Sequence, residues 1–192
     1  MKLIGISGYI GSGKSTLLSY INNKYHIKVI EADIISKNVI KNKKIIDFLK
    51  LKIPSSINDD GIDKKKLRNL IFTNKNLNDQ FTSIIWPLIT KKIKKILKSI
   101  NYKYEKIVII EAAVITGLDL NFNKIILLKK EEEERMNIVL QRDEIDISEI
   151  KMISNYQKEK LLGVKFDYIL ENNADINIFY KNIDKLMKVI LR

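Results

Sequence analysis

Near its start the chain reads KLIGISGYIGSGKST, residues 2–16. An apolar run ends at Gly8, a glycine-rich turn closes on Lys14, Ser15 and Thr16, and STLLSYINNKY then repeats Leu17, Leu18 and Ile21 at helical spacing. GYIGSGKS fits the pattern G-x-x-x-x-G-K-[ST], set between an expected strand and an expected helix. The chemistry of that pattern is narrow. Glycines let backbone N–H groups turn inward around a phosphate, and the helix N-terminus adds partial positive charge. Lys14 reaches the β- and γ-phosphates, while the Ser15 hydroxyl suits Mg²⁺. Gly8, Gly11, Ser12, Gly13, Lys14, Ser15 and Thr16 are therefore the nucleotide-binding candidates, with a nucleoside triphosphate and Mg²⁺ as the expected occupants.

Further along, HIKVIEA leads into Asp33 and KIVIIEA ends in Glu111, while KIILL at 124–128 and DYIL at 167–170 supply two more extended runs. Five such runs separated by helical patterns imply an α/β fold, because parallel strands need crossovers that are usually helices. The expectation is a three-layer α/β/α P-loop fold with a five-stranded parallel sheet. In a doubly wound sheet the strand leading to Asp33 can lie beside the strand carrying the glycine loop. The stretch of roughly 34–105 is too long for one crossover. It carries helical patterns of its own, among them KKIKKILKSI, with Ile93, Ile96, Leu97 and Ile100 on one face. One domain over 1–192 is expected, with a core of 1–33 and 106–192 and a helical insertion between.

Composition removes several classes. There is no cysteine and one histidine, His26, so disulfides, thiol catalysis and common zinc patterns drop out. No apolar run approaches the roughly 18 residues of a membrane span, and a soluble, cytoplasmic protein is expected. The net charge of +12 attracts anions. Lysine, isoleucine and asparagine nevertheless recur along the whole chain without interleaved aromatics, so neither a specific nucleic-acid partner nor a membrane partner is expected. A monomer or weak homo-oligomer is expected.

A bound triphosphate has several uses. A GTPase would need Asn-Lys-x-Asp, and both NKNL at 74–77 and NKII at 123–126 lack the aspartate. A nucleic-acid-dependent ATPase usually has a longer core. A small-molecule kinase needs an acid near the acceptor hydroxyl, Mg²⁺ on the phosphates and mobile arginines. Asp33 is the candidate acid, or else an N-cap for a helix starting at Ile34. Glu111 is the candidate for holding Mg²⁺ through water, or a strand-end carboxylate fixing a loop. Arg142, in LQRDE after a long helix, is placed for a lid, or is a solvated arginine.

With these residues in view the chain resembles the dephospho-coenzyme A kinase family nearly end to end. GYIGSGKST, VIEADIISKNV, GIDKKKLRNLIF, IWPLI, LQRD and FDYILENNA are similar, in that order, to the family's successive motifs. The resemblance implies transfer of the ATP γ-phosphoryl group to the ribose 3′-hydroxyl of dephospho-coenzyme A. It makes Asp33 the base, Lys14 and Arg142 the phosphoryl-stabilising cations and Ser15 the Mg²⁺ ligand, and it places Asn172 by the adenine of ATP. It also makes about 34–105 the acceptor-binding insertion and about 142–160 the lid. Departures stand at Trp86, where the family tends to have histidine, at Ala113, at Thr116-Gly117 and at Ile138, where an arginine is frequent one turn before Arg142. The Gln157 to Lys160 spacing is also short. A nucleoside or nucleotide kinase with another acceptor, and a relative weakened in catalysis, are the alternatives.

Overall fold

The computed structural model describes residues 1–143 and 145–191; Glu144, within the expected lid, and Arg192 lie outside them. Two compact units divide the chain: residues 1–31, 99–116 and 120–192 form one, and residues 32–98 with 117–119 form the other.

In the first unit, strands β1 (Lys2–Gly8) and β2 (Lys28–Glu31) are joined by helix α1 (Lys14–Tyr25). In the second unit, helices α2 (Ala32–Val39) and α3 (Lys43–Lys52) precede a two-strand hairpin, β3 (Ile57–Asn58) and β4 (Gly61–Ile62), and then α4 (Lys64–Thr73) and α5 (Lys75–Ser99). The chain returns to the first unit with β5 (Ile107–Glu111), β6 (Lys124–Lys129), α6 (Glu132–Arg142), α7 (Ile147–Leu161), β7 (Tyr168–Glu171) and α8 (Ile176–Ile190).

The five long strands form one parallel sheet in the order β2-β5-β1-β6-β7, in a three-layer α/β/α arrangement. β2 therefore does not neighbour β1, as the sequence reading allowed; β5 lies between them. Burial explains the order. Every residue of IVIIE in β5 is buried, so it needs cover from two neighbours, whereas KVIE in β2 is half-exposed and tolerates an edge. Ile4, Ile6, Ile109 and Leu128 on one sheet face pack with Leu17 and Ile21 of α1 and Phe179, Ile183 and Met187 of α8. Val108, Ile110 and Leu127, which alternate to the other face, are buried as well.

The second unit has a helical core of its own, with Ile45 and Leu49 of α3 and Phe81, Ile85, Ile89 and Ile93 of α5 buried. The stripe KKIKKILKSI is thus half core and half solvated lysine, as its periodicity requires. Asn42 caps α3 by accepting from Lys44 N–H, and Asp63 caps α4 by accepting from Lys66 N–H.

Candidate active site

β1 has β5 on one side and β6 on the other, so chain direction away from it reverses where Gly8 ends the strand. Ligands of open parallel sheets bind at such switch points, beyond the carboxyl ends of the strands. The register brings Glu31 and Glu111 side by side at that edge, with Lys129 and Glu171 paired on the far side of β1.

The loop from Gly8 to Gly13 is built for close approach. Gly11 and Gly13 hold φ of 78° and 95°, a region where side chains are strained. A Cβ at Gly11 would stand 2.5 Å from the Arg135 carbonyl oxygen of α6, and one at Gly13 would overlap the Asn172 amide. At Gly8 it would meet the Leu128 carbonyl oxygen at 2.6 Å. Three walls therefore touch the loop directly. α1 starts at Lys14 with no side-chain cap and no acidic residue in its first turn, which leaves its leading N–H groups and dipole to an anion.

Lys14 Nζ donates to the Gly8 carbonyl (2.8 Å) and the Tyr9 carbonyl (3.3 Å), and lies 3.9 Å from Glu111 Oε1. Glu111 is 4% exposed, so its carboxylate is held in the protein beside a cation. Asn172 Nδ2 donates to the Ser12 carbonyl at 2.9 Å, and its own carbonyl accepts from Lys130 Nζ at 2.6 Å. Ser15 and Thr16, in the first turn of α1, are exposed. The structure thus brings Lys14, Glu111, Asn172 and the loop together. Arg142 stands at the end of α6, half-exposed, with its guanidinium forked onto Asp143 at 2.9 and 2.7 Å. Asp33 belongs to the other unit. α2 begins at Ala32, so Asp33 sits inside the first turn rather than at the cap, exposed, with its carbonyl accepting from Ser36 Oγ.

Two residues hold the loop in roles that the sequence reading did not assign. Arg135, 2% exposed, donates to the carbonyls of Ile10 (3.0 Å) and Lys130 (3.2 Å) and to Ser154 Oγ (3.4 Å), with its guanidinium 5.0 Å from the Tyr9 ring centre. Burial lowers its pKa from the ordinary arginine value, against a counteracting pull from Glu132. Gln157 Oε1 accepts from Ile10 N–H at 2.8 Å. The Ile10 residue is therefore gripped at both its N–H and its carbonyl by side chains from two helices. Arg135 had a signal: it lies three residues before Ile138 and seven before Arg142, on the same helix face. Gln157 had one too, as a polar residue on the buried stripe Ile150, Ile153, Ser154, Leu161.

The loop at the switch point, the uncapped helix beyond it and the lysine at its mouth define a P-loop kinase domain. The sequence model of the dephospho-CoA kinase family matches residues 2–177, and the chain belongs to that family. It is 34% identical over 199 residues to the dephospho-CoA kinase of Borreliella burgdorferi, covering 98% of this chain and 94% of that one. To the dephospho-CoA kinase of Fusobacterium nucleatum it is 28% identical over 194 residues, covering 98% of each. Among solved structures, TT1252 from Thermus thermophilus matches 99% of this chain and 96% of its own with a TM-score of 0.78, at 21% identity, which shows the shared fold. Among the described residues no helix is long and apolar enough to cross a membrane.

Proposed function

We propose that the chain transfers the γ-phosphoryl group of ATP to the ribose 3′-hydroxyl of dephospho-coenzyme A, giving coenzyme A and ADP in the cytoplasm. The observation that carries this reading is family membership over residues 2–177 together with a loop whose three glycines, Lys14 and free-standing helix start suit a triphosphate. Backbone N–H groups of Gly11 to Ser15 cradle the phosphates, and Lys14 exchanges loop carbonyls for β- and γ-phosphate oxygens. Asn172 borders the adenine while bracing Ser12.

The donor set supports Mg²⁺. Among the described residues no group of three or more His, Cys, Asp or Glu could hold a metal, and the oxygens on offer are the Ser15 hydroxyl and the Glu111 carboxylate. Hard oxygen donors, few in number, suit an ion that keeps its waters and leans on substrate phosphates. Held there through the Ser15 hydroxyl and the Glu111 carboxylate, Mg²⁺ would offset the negative charge of the phosphates. Asp33 orients the acceptor hydroxyl and takes its proton as the O–P bond forms. Arg142, on the segment 142–160 that serves as lid, trades Asp143 for the transferred phosphoryl; their exposed pairing is weak enough for the exchange to cost little. The insertion of about 34–105 binds the acceptor.

ADP release from Mg-ATP with dephospho-coenzyme A, beside nucleosides, nucleoside monophosphates and a no-acceptor control, tests the reading. Turnover with dephospho-coenzyme A alone is expected. Turnover with a nucleoside instead, or none, would overturn the acceptor while leaving the phosphate cradle in place.

A further inference from the structure

Trp86 is the chain's one tryptophan, halfway along α5. Its packing is unusual. A Cβ added at Gly117 would lie equally close to Trp86 Cδ2 and Cε2, and 2.9 Å from Cε3. Cδ2 and Cε2 form the bond shared by the two indole rings, so an atom equidistant from them at such short range stands over the ring face, not at its edge. Gly117 thus lies flat beneath the indole, and no larger residue fits there. The indole at position 86 therefore needs a bare backbone at position 117.

Trp86, half-buried, and Gly117 beneath it both line a cavity of about 1280 Å³ within the same unit. Asn38, Asn42 and Ser83 line it together with Trp86, and six lysines line it against two acids, Asp79 and Asp119. Lys91 and Lys94 follow Trp86 along α5 by about 7.5 and 12 Å of helix rise. Lys94 is paired with Asp119 at 2.8 Å; that pair is exposed and open to exchange. A flat aromatic surface, hydrogen-bonding groups at its rim and cations beyond it match a base, its edge and a pyrophosphate in turn.

We infer that Trp86, seated on Gly117, is the stacking platform for the adenine of the acceptor, with the lysines of α5 receiving the acceptor's pyrophosphate. The inference rests on the acceptor proposed above. Trp86 is a binding residue in this scheme and takes no part in phosphoryl transfer.

Because no other tryptophan emits, intrinsic fluorescence reports on this ring alone. With ADP filling the phosphate loop, dephospho-coenzyme A should quench Trp86 with a midpoint near its KM, whereas 4′-phosphopantetheine, which lacks the base, should not. Trp86→Leu should raise the acceptor KM by roughly 10- to 100-fold, the loss expected for one base–aromatic stack, with the ATP KM unchanged. Trp86→Phe should restore most of it, and Gly117→Ala, which displaces the indole, should raise the acceptor KM in a protein that still folds. Turnover of dephospho-coenzyme A without quenching, or an unchanged acceptor KM in folded Trp86→Leu, would overturn the platform and leave the activity standing. Absence of turnover in the wild-type protein would overturn the acceptor and the platform with it.

Discussion

Replacing Gly11 by alanine separates two costs that glycine hides. The first is conformational: at φ of 78° an alanine loses about 1–2 kcal/mol in the left-handed region. The second is steric: the new methyl group would stand 2.5 Å from the Arg135 carbonyl oxygen and 2.9 Å from Val139 Cγ2, and the first of these is helix backbone that cannot swing aside. Reaching ordinary contact at 3.4 Å requires the loop to withdraw by about 0.9 Å. A displacement near 1 Å in a group that positions a reacting phosphate costs about 10²-fold. Gly163 is the matched control, with φ of 76° and nothing within 4 Å of its missing Cβ. Each variant should lose a similar ~2–8 °C of melting temperature to the backbone effect. Only Gly11→Ala should lower kcat/KM for ATP by about 10²-fold, read from steady-state ADP release with saturating acceptor. If the two variants lost ATP turnover equally, or neither did, the contact between α6 and the loop would not be what shapes the nucleotide site.

Lys14→Ala should abolish nearly all transfer, since no water replaces an ammonium held among loop carbonyls and Glu111; appreciable ADP release would contradict its role. Asp33→Asn should lower kcat by roughly 10²- to 10⁴-fold with ATP affinity retained, measured by nucleotide titration beside turnover, and a collapse of ATP affinity would make Asp33 a metal or structural residue. At the other face of α1, Asp184 accepts from Lys24 Nζ (2.7 Å), Tyr25 OH (2.7 Å) and Tyr20 OH (3.0 Å). Burial alone would raise its pKa, but those three donors prevail and hold the carboxyl below its ordinary value. Its stabilisation is therefore present above the ordinary carboxylate pKa and lost as pH falls through the depressed one. The melting-temperature gap between wild type and Asp184→Asn should be widest near neutrality and close below about pH 4. A gap that stayed constant into acid would mean the tyrosines, not the charge, hold that corner.

The strands were legible because a sheet buried on both faces needs runs such as IVII and IILL, which also lack helical spacing. Their order was less so: adjacency depends on which strand must be covered on two sides, and only burial separated β5 from β2. In the site, the glycine loop was fully written in the chain because its chemistry is local, each backbone N–H lying within a few residues of the next. The roles of Arg135 and Gln157 escaped notice because what they hold is a main-chain group, the carbonyl and N–H of Ile10, which has no signature of its own. Trp86 and Gly117 were visible singly as departures. That they are one feature became plain only when the fold laid one upon the other.

The grip on Ile10 also has a bearing on how the protein is made. Its two partners lie 125 and 147 residues further along the chain, and the Asn172 that braces Ser12 is 160 residues from it. β1, the central strand, likewise waits for β5 and β6. A nascent chain therefore exposes its central strand early and houses it late, a long-range closure that slows folding and leaves open strand edges in the interval. ATP offers no help during that time, because the cradle it would stabilise is assembled from residues as far as 160 positions apart in the chain. Ribosome-bound chains that stop short of α7 should be nucleotide-blind and dependent on chaperones. Competence for ATP should arrive abruptly, as the last third of the chain emerges.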